Sequence, residues 1–117
     1  MAVYEAASLL ASAASHGAYR LVARAFARSA DEVRLLAQAL VAESGVVALL
    51  GAAGEKAQLI FARSADVRLD VVPLLKKALE QLGGRGGGRP NMAQGGGASA
   101  DLDQVQAAIN AALTMLV

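Results

Sequence analysis

No cysteine occurs among the 117 residues, and that absence removes disulfides, thiolate metal sites and a cysteine nucleophile together. Histidine occurs once, at His16 beside Gly17; a lone histidine at a helix end is far more often a capping or surface residue than a catalyst. Aromatic residues make up only 3% of the chain, so alanine, leucine and valine have to fill the core. Net charge is +1, too little to draw the whole molecule toward a polyanion, and any such binding has to come from local patches. No uncharged apolar run approaches the roughly 20 residues that a bilayer span needs. The N-terminus, Met1-Ala2-Val3-Tyr4-Glu5, lacks the basic region of a secretory signal. The expectation is a single cytoplasmic domain with no membrane contact and no cofactor.

What is present is strongly patterned. Residues 2–15 are alanine-rich with Leu9 and Leu10 and predict a helix ending near His16-Gly17. Its apolar surface asks for a neighbour, one expected upstream. Residues 18–27 admit two readings: Arg20, Arg24 and Arg28 recur every fourth position and would align on a helix, as a second RNA-facing patch or a solvated face, but Gly17 and Ser29 bound a short segment and favour a strand. Arg20, Val22, Arg24 and Phe26 would share one face, and Tyr19, Leu21, Ala23 and Ala25 the other. Ser29 and Glu32 have capping-box spacing before a helix whose apolar residues are Val33, Leu36, Ala37, Leu40 and Val41. Val46-Val47-Ala48-Leu49-Leu50 is a continuous apolar run of the kind covered on both faces. Lys56 to Arg63 reads as the strand returning from it across the Gly51–Gly54 turn.

Asp70 caps a helix with Pro73 in its first turn and Val71, Leu74, Leu75, Ala78, Leu79 and Leu82 on one stripe; Gly83-Gly84 stops it. A final helix starts near Asp101, with Gln104 as capping-box partner and Leu102, Val105, Ile109, Ala112, Leu113 and Leu116 on its buried side. Asp101 and Asp103 are read as cap and dipole compensation rather than a catalytic pair. The sum is an α/β (α+β) domain, with about four helices packed on a small mixed sheet of three to four strands and a glycine-rich loop before the last helix.

That loop, residues 83–97, carries most of the information. It reads Gly-Gly-Arg-Gly-Gly-Gly-Arg-Pro-Asn-Met-Ala-Gln-Gly-Gly-Gly and holds eight of the 12 glycines. Glycine runs commonly serve as flexible linkers. This one lies between two amphipathic helices that dock on one core, and it carries arginine and amides instead of serine. Bare backbone at Gly86, Gly87, Gly88, Gly95 and Gly96 admits close approach of a ligand. Successive N–H groups can form concavities for phosphate oxygens. Arg85 and Arg89 add guanidinium forks, and Asn91 and Gln94 can hydrogen-bond bases or ribose. No Gly-Lys-Ser/Thr follows, so the segment is not a P-loop. It also follows a helix, unlike a dinucleotide fingerprint.

The string Gly83 to Gly97 resembles the signature of the DHH-associated domain in the version that closes alanyl-tRNA synthetases, and the similarity extends over residues 18–116. The segment 54–63 is similar to long-type alanyl-tRNA editing proteins. The resemblance implies a non-catalytic tRNA-binding domain, residues 18–117, preceded by the end of a linking helix, residues 1–17. It implies contacts with the outer corner of alanine tRNA where the D and T loops meet, through Arg85, Gly86, Gly87, Gly88, Arg89, Asn91, Gln94, Gly95 and Gly96. Catalytic or editing domains would lie upstream, and a homodimer is a further expectation, motivated also by the apolar N-terminal helix and the final turn Met115-Leu116-Val117. Two other readings stay open: the substrate-binding half of a DHH-type phosphoesterase, and a dimerisation module. In the phosphoesterases the glycine motif continues with a histidine, where this chain has Arg89-Pro90. Related editing domains use a His/Cys zinc cluster, which this chain cannot supply.

Overall fold

A computed structural model describes residues 2–116; Met1 and Val117, the latter part of the apolar final turn, lie outside them. The order is α1 (Ala2–Ala11), β1 (Ala14–His16), β2 (Tyr19–Phe26), α2 (Ala30–Val41), β3 (Val46–Ala52), β4 (Gln58–Arg63), α3 (Val71–Leu82), β5 (Arg85–Arg89), β6 (Met92–Gly96) and α4 (Leu102–Leu113), closed by a 3₁₀ turn at Thr114–Leu116. The strands form one six-stranded sheet in the order β1-β2-β3-β4-β6-β5. The expected class and helices are found, but the sheet is twice the lower expected size. The three added strands come from segments with weak strand signals: β1 from residues 14–16, and β5 and β6 from the glycine run.

β2 and β3 are parallel, joined through α2, and every other pairing is antiparallel. One pair of helices covers each face. Val47, Leu49, Leu59 and Phe61 pack with α3 and α4. Val46, Ala48, Leu50 and Ile60 pack with Leu36 and Leu40 of α2 and with Ala6 and Leu10 of α1. This is why β3 is buried at all seven positions: it has helices above and below, as a continuous apolar run demands. The neighbour that α1 needs is therefore α2 of the same chain.

Residues 2–15 are not one helix. α1 stops at Ala11, and Ala14, Ser15 and His16 pair with Leu21, Arg20 and Tyr19. Sheet pairing outweighs alanine's helix preference there. His16 Nε2 meets the Leu116 carbonyl oxygen, tying this edge strand to the C-terminal turn. Leu116 itself packs on the core, whereas Met115 is exposed. Leu102, expected on the buried side of α4, is 43% exposed, because the first residue of that helix lies beyond the sheet's reach.

The caps follow the sequence with one exception. Asp70 accepts from Val72 N–H, and Asp101 with Gln104 forms a complete capping box. At α2 only half the box exists. Ser29 Oγ accepts from Glu32 N–H at 3.2 Å, but the Glu32 carboxylate is taken by Arg28 Nε at 2.9 Å. Arg28 also pairs with Glu5 of α1. That hydrogen bond from Arg28 holds the Glu5 carboxyl below its ordinary range. A carboxylate with a lowered folded pKa contributes stability above its unfolded pKa and loses it as pH falls through the folded value. Glu5→Gln should therefore lower the neutral-pH unfolding midpoint slightly and flatten its decline on acidification, as read by melts across pH; an unchanged acid limb would contradict this tie. Among the described residues no helix is long and apolar enough to cross a membrane.

Candidate nucleic-acid interface

The glycine-rich run is not a loop. α3 ends at Gly83, whose φ of 64° places it in the left-handed region that glycine tolerates, and Gly84 N–H returns to the Leu79 carbonyl. The chain then enters β5, turns at Pro90-Asn91, and comes back as β6, which pairs with β4 through Leu59↔Gly95 and Phe61↔Ala93. A glycine-rich hairpin is thereby stitched to β4, whose four central residues are buried.

Most of its glycines have a packing reason. A Cβ at Gly95 would sit 2.7 Å from the Arg85 carbonyl oxygen and 2.8 Å from Leu79 Cδ1. One at Gly88 would lie 2.6 Å from the Met92 carbonyl oxygen. Gly86 meets the Gly95 backbone, Gly84 the Gly96 carbonyl, and Gly96 the Gln58 amide. Gly87 is different. A Cβ there meets nothing within 4 Å, and its φ is not in the positive region. Nothing in the fold requires glycine at 87.

Strand alternation sorts the residues. Gly87 and Gln94 face each other across the hairpin, as do Arg89 and Met92 and also Arg85 and Gly96, all on the face shared with α2. Gly86, Gly88, Ala93 and Gly95 turn toward α3. α2 covers β3 and β4 but not the hairpin, and its Arg34 reaches across to bond Gln94 Oε1 at 2.9 Å. The result is an open groove of about 440 Å³ lined by Arg34, Gly87, Gly88, Arg89, Asn91, Met92 and Gln94. Arg85 and Gly86 border a second groove of about 410 Å³ with Lys76, Leu79, Glu80, Gly83 and Gly84. The two arginines of the motif thus serve different grooves. Gly95 is buried and Gly96 is closed over by the Gln58 amide, so neither lies on an open surface; Gly87, though half-buried, has nothing above it within 4 Å.

The backbone donors are also fewer than a run of bare amides suggests. Arg63 N–H bonds the Asn91 carbonyl, and Gly97 N–H the Ala57 carbonyl. In an antiparallel ladder bonded pairs alternate, so Ala93 and Gly95 point their amides at β4, and Met92, Gln94 and Gly96 point theirs at Arg89, Gly87 and Arg85 of β5. β6 is fully committed. Only Gly86 and Gly88 turn N–H and C=O outward, along the sheet edge, where no partner occurs among the described residues. A nest of successive N–H groups does not form, because the hairpin ladder uses alternate ones.

Charge differs between the two arginine sets. Among the described residues neither Arg85 nor Arg89 pairs with a carboxylate. On the other side, Arg28 is held by Glu5 and Glu32, and Arg24 lies 5.4 Å over the Phe26 ring. Among the described residues Arg20 and Arg24, both exposed, pair with no carboxylate. Asp101 is engaged as a cap, with Gln104 N–H at 2.8 Å. Among the described residues no group of three or more His, Asp or Glu could hold a metal ion. Arg34 is the site residue that the sequence does not mark: it sits 60 positions from Gln94, and only the packing of α2 beside β6 joins them.

The family model described as the DHHA1 domain matches residues 17–115. The alanine–tRNA ligase of Gluconobacter oxydans is 41% identical over 90 residues, covering 73% of this chain and 10% of that protein. That of Granulibacter bethesdensis is 43% identical over 101 residues, covering 81% and 11%. The chain therefore spans about a tenth of the length of these relatives. The crystal structure of the C-Ala domain from Aquifex aeolicus alanyl-tRNA synthetase superposes with a TM-score of 0.68 at 24% identity, covering 85% of this chain and 96% of that one, so the fold is shared. With the family model spanning all but the ends, the chain belongs to the DHHA1 domain family.

Proposed function

We propose that the chain is a non-catalytic RNA-binding domain of an alanine–tRNA ligase, and that it grips folded tRNA across the glycine hairpin, at the corner where the D and T loops meet. One observation carries this reading. Gly87 lies on a sheet face with free space above it and beside it Arg89, which pairs with no carboxylate among the described residues, on a hairpin whose other glycines are fixed by packing. Backbone that bare allows ribose–phosphate to come within contact distance, and folded RNA is read largely by shape, phosphate and 2′-hydroxyl. The alanine–tRNA ligases among the relatives support the choice of parent enzyme. Residues 1–17 would be where the linking segment enters, its α1 and β1 packed into the same fold, and 18–117 the binding domain, with the chemistry in other parts of the parent chain. Arg89-Pro90, standing where phosphoesterases carry histidine, disfavours the phosphoesterase reading.

The test is a salt series. Arg89→Ala and Arg85→Ala should each weaken tRNA binding and reduce the slope of log K against log salt by about one unit, with the unfolding midpoint unchanged. Fluorescence anisotropy with labelled tRNA measures both. Unchanged affinity and slope in both variants, or equal affinity for folded tRNA and unstructured RNA, contradicts the reading.

A further inference from the structure

Arg34 belongs to α2, yet it lines the hairpin groove with Arg89 and Gln94. Its Nε donates to Gln94 Oε1 at 2.9 Å and its Nη1 to Asp31 Oδ1 at 2.7 Å. We propose that Arg34 is a ligand-contacting residue of this groove, and that by turning the Gln94 amide it restricts the groove to anionic acceptors, the non-bridging oxygens of phosphodiesters. The proposal rests on the hairpin reading above and adds the ligand chemistry.

The reasoning is one of hydrogen-bond polarity. A guanidinium only donates, so the amide facing it has to present its oxygen. Gln94 is left with its NH₂ group, two donors, for anything that enters the groove. Arg34 keeps N–H groups beyond those used by Asp31 and Gln94, and these have no partner among the described residues. Arg89 adds a guanidinium without a carboxylate partner among the described residues. Three side chains therefore converge as donors, and only Asn91 at the turn can act in either sense. Base edges mix donors with acceptors, whereas phosphodiester oxygens only accept. Asp31, its side chain 90% exposed, reduces the field of Arg34 without closing the groove.

This makes the two ends of one ion pair act in opposite directions. With labelled tRNA and the 117-residue chain, Arg34→Ala should weaken binding about tenfold, the worth of one charge-assisted hydrogen bond. Asp31→Ala should tighten it a few-fold and steepen its salt dependence. Gln94→Glu keeps an acceptor for Arg34 but replaces the donor amide by a carboxylate, and should weaken binding without lowering the unfolding midpoint. Arg34→Lys should restore part of the affinity lost in Arg34→Ala. If Arg34→Ala and Asp31→Ala both weaken binding in step with a fall in melting temperature, the pair is a helix fastening and the proposal is overturned. If Arg34→Ala binds as the parent while Arg89→Ala does not, the hairpin reading stands and this proposal falls. If Arg34→Ala, Arg85→Ala and Arg89→Ala all bind as the parent, both fall.

Discussion

Gly87→Val should leave a protein at least as stable as the parent and about a hundredfold weaker for tRNA. The stability half follows from the free volume: a Cβ at 87 meets nothing within 4 Å, and the backbone there has no positive φ. Glycine inside a strand costs roughly 0.5–1 kcal/mol relative to alanine, and β-branched residues suit a pleated surface better. The binding half follows from contact distance. An isopropyl group on the groove floor holds ribose–phosphate away from Arg34, Gln94 and Arg89, and losing two charge-assisted hydrogen bonds amounts to about 3 kcal/mol, or a hundredfold. Denaturant melts and anisotropy on the same sample separate the two effects. A Gly87→Val protein that binds tRNA with parental affinity would mean that nothing lies on this face.

Gly95→Ala should fail in the opposite way. Its new methyl group would be forced against the Arg85 carbonyl oxygen at 2.7 Å and against Gly86 Cα and Leu79 Cδ1 at 2.8 Å. Backbone cannot yield as a flexible side chain can, and overpacking of this kind costs about 1–3 kcal/mol. The denaturation midpoint should fall accordingly, and tRNA affinity should fall only as far as the hairpin is released from the sheet. Two glycines of one motif thus carry separate duties, one in seating the hairpin and one in exposing it. A neutral Gly95→Ala would contradict the packing of β5 against β6 and α3.

Much of the framework was legible because side chains write it. Asp70 and Asp101 announce their helices through capping, and Val46 to Leu50 announce a doubly covered strand through unbroken hydrophobicity. The faces of β2 were readable from Tyr19 to Phe26, since alternation and the flanking Gly17 and Ser29 agree. The hairpin was not legible as strands, because period-two alternation needs side chains and Gly86-Gly87-Gly88 has none. What makes it a hairpin is the ladder to β4, a tertiary fact. β1 was hidden for a related reason: Ala14-Ser15-His16 is too short to show a period and follows an alanine-rich helix. The broken capping box at Ser29 could not be foreseen either, since Glu32 is drawn off by Arg28, which is itself held by Glu5 of α1. Of the candidate site, Arg89, Asn91 and Gln94 were found from the motif and do share a groove, whereas Arg34 enters only through the packing of α2.

Amide-resolved NMR with increasing tRNA addresses the central claim most directly. If RNA lies on the bare face and free edge of the hairpin, the largest shifts will fall on Gly86, Gly87, Gly88, Arg89 and Gln94, with Arg34 moving beside them and α4 silent. Shifts confined to Arg20 and Arg24 on β2, with the hairpin amides unmoved, would place the RNA at the opposite edge of the sheet, beside β1, and contradict it.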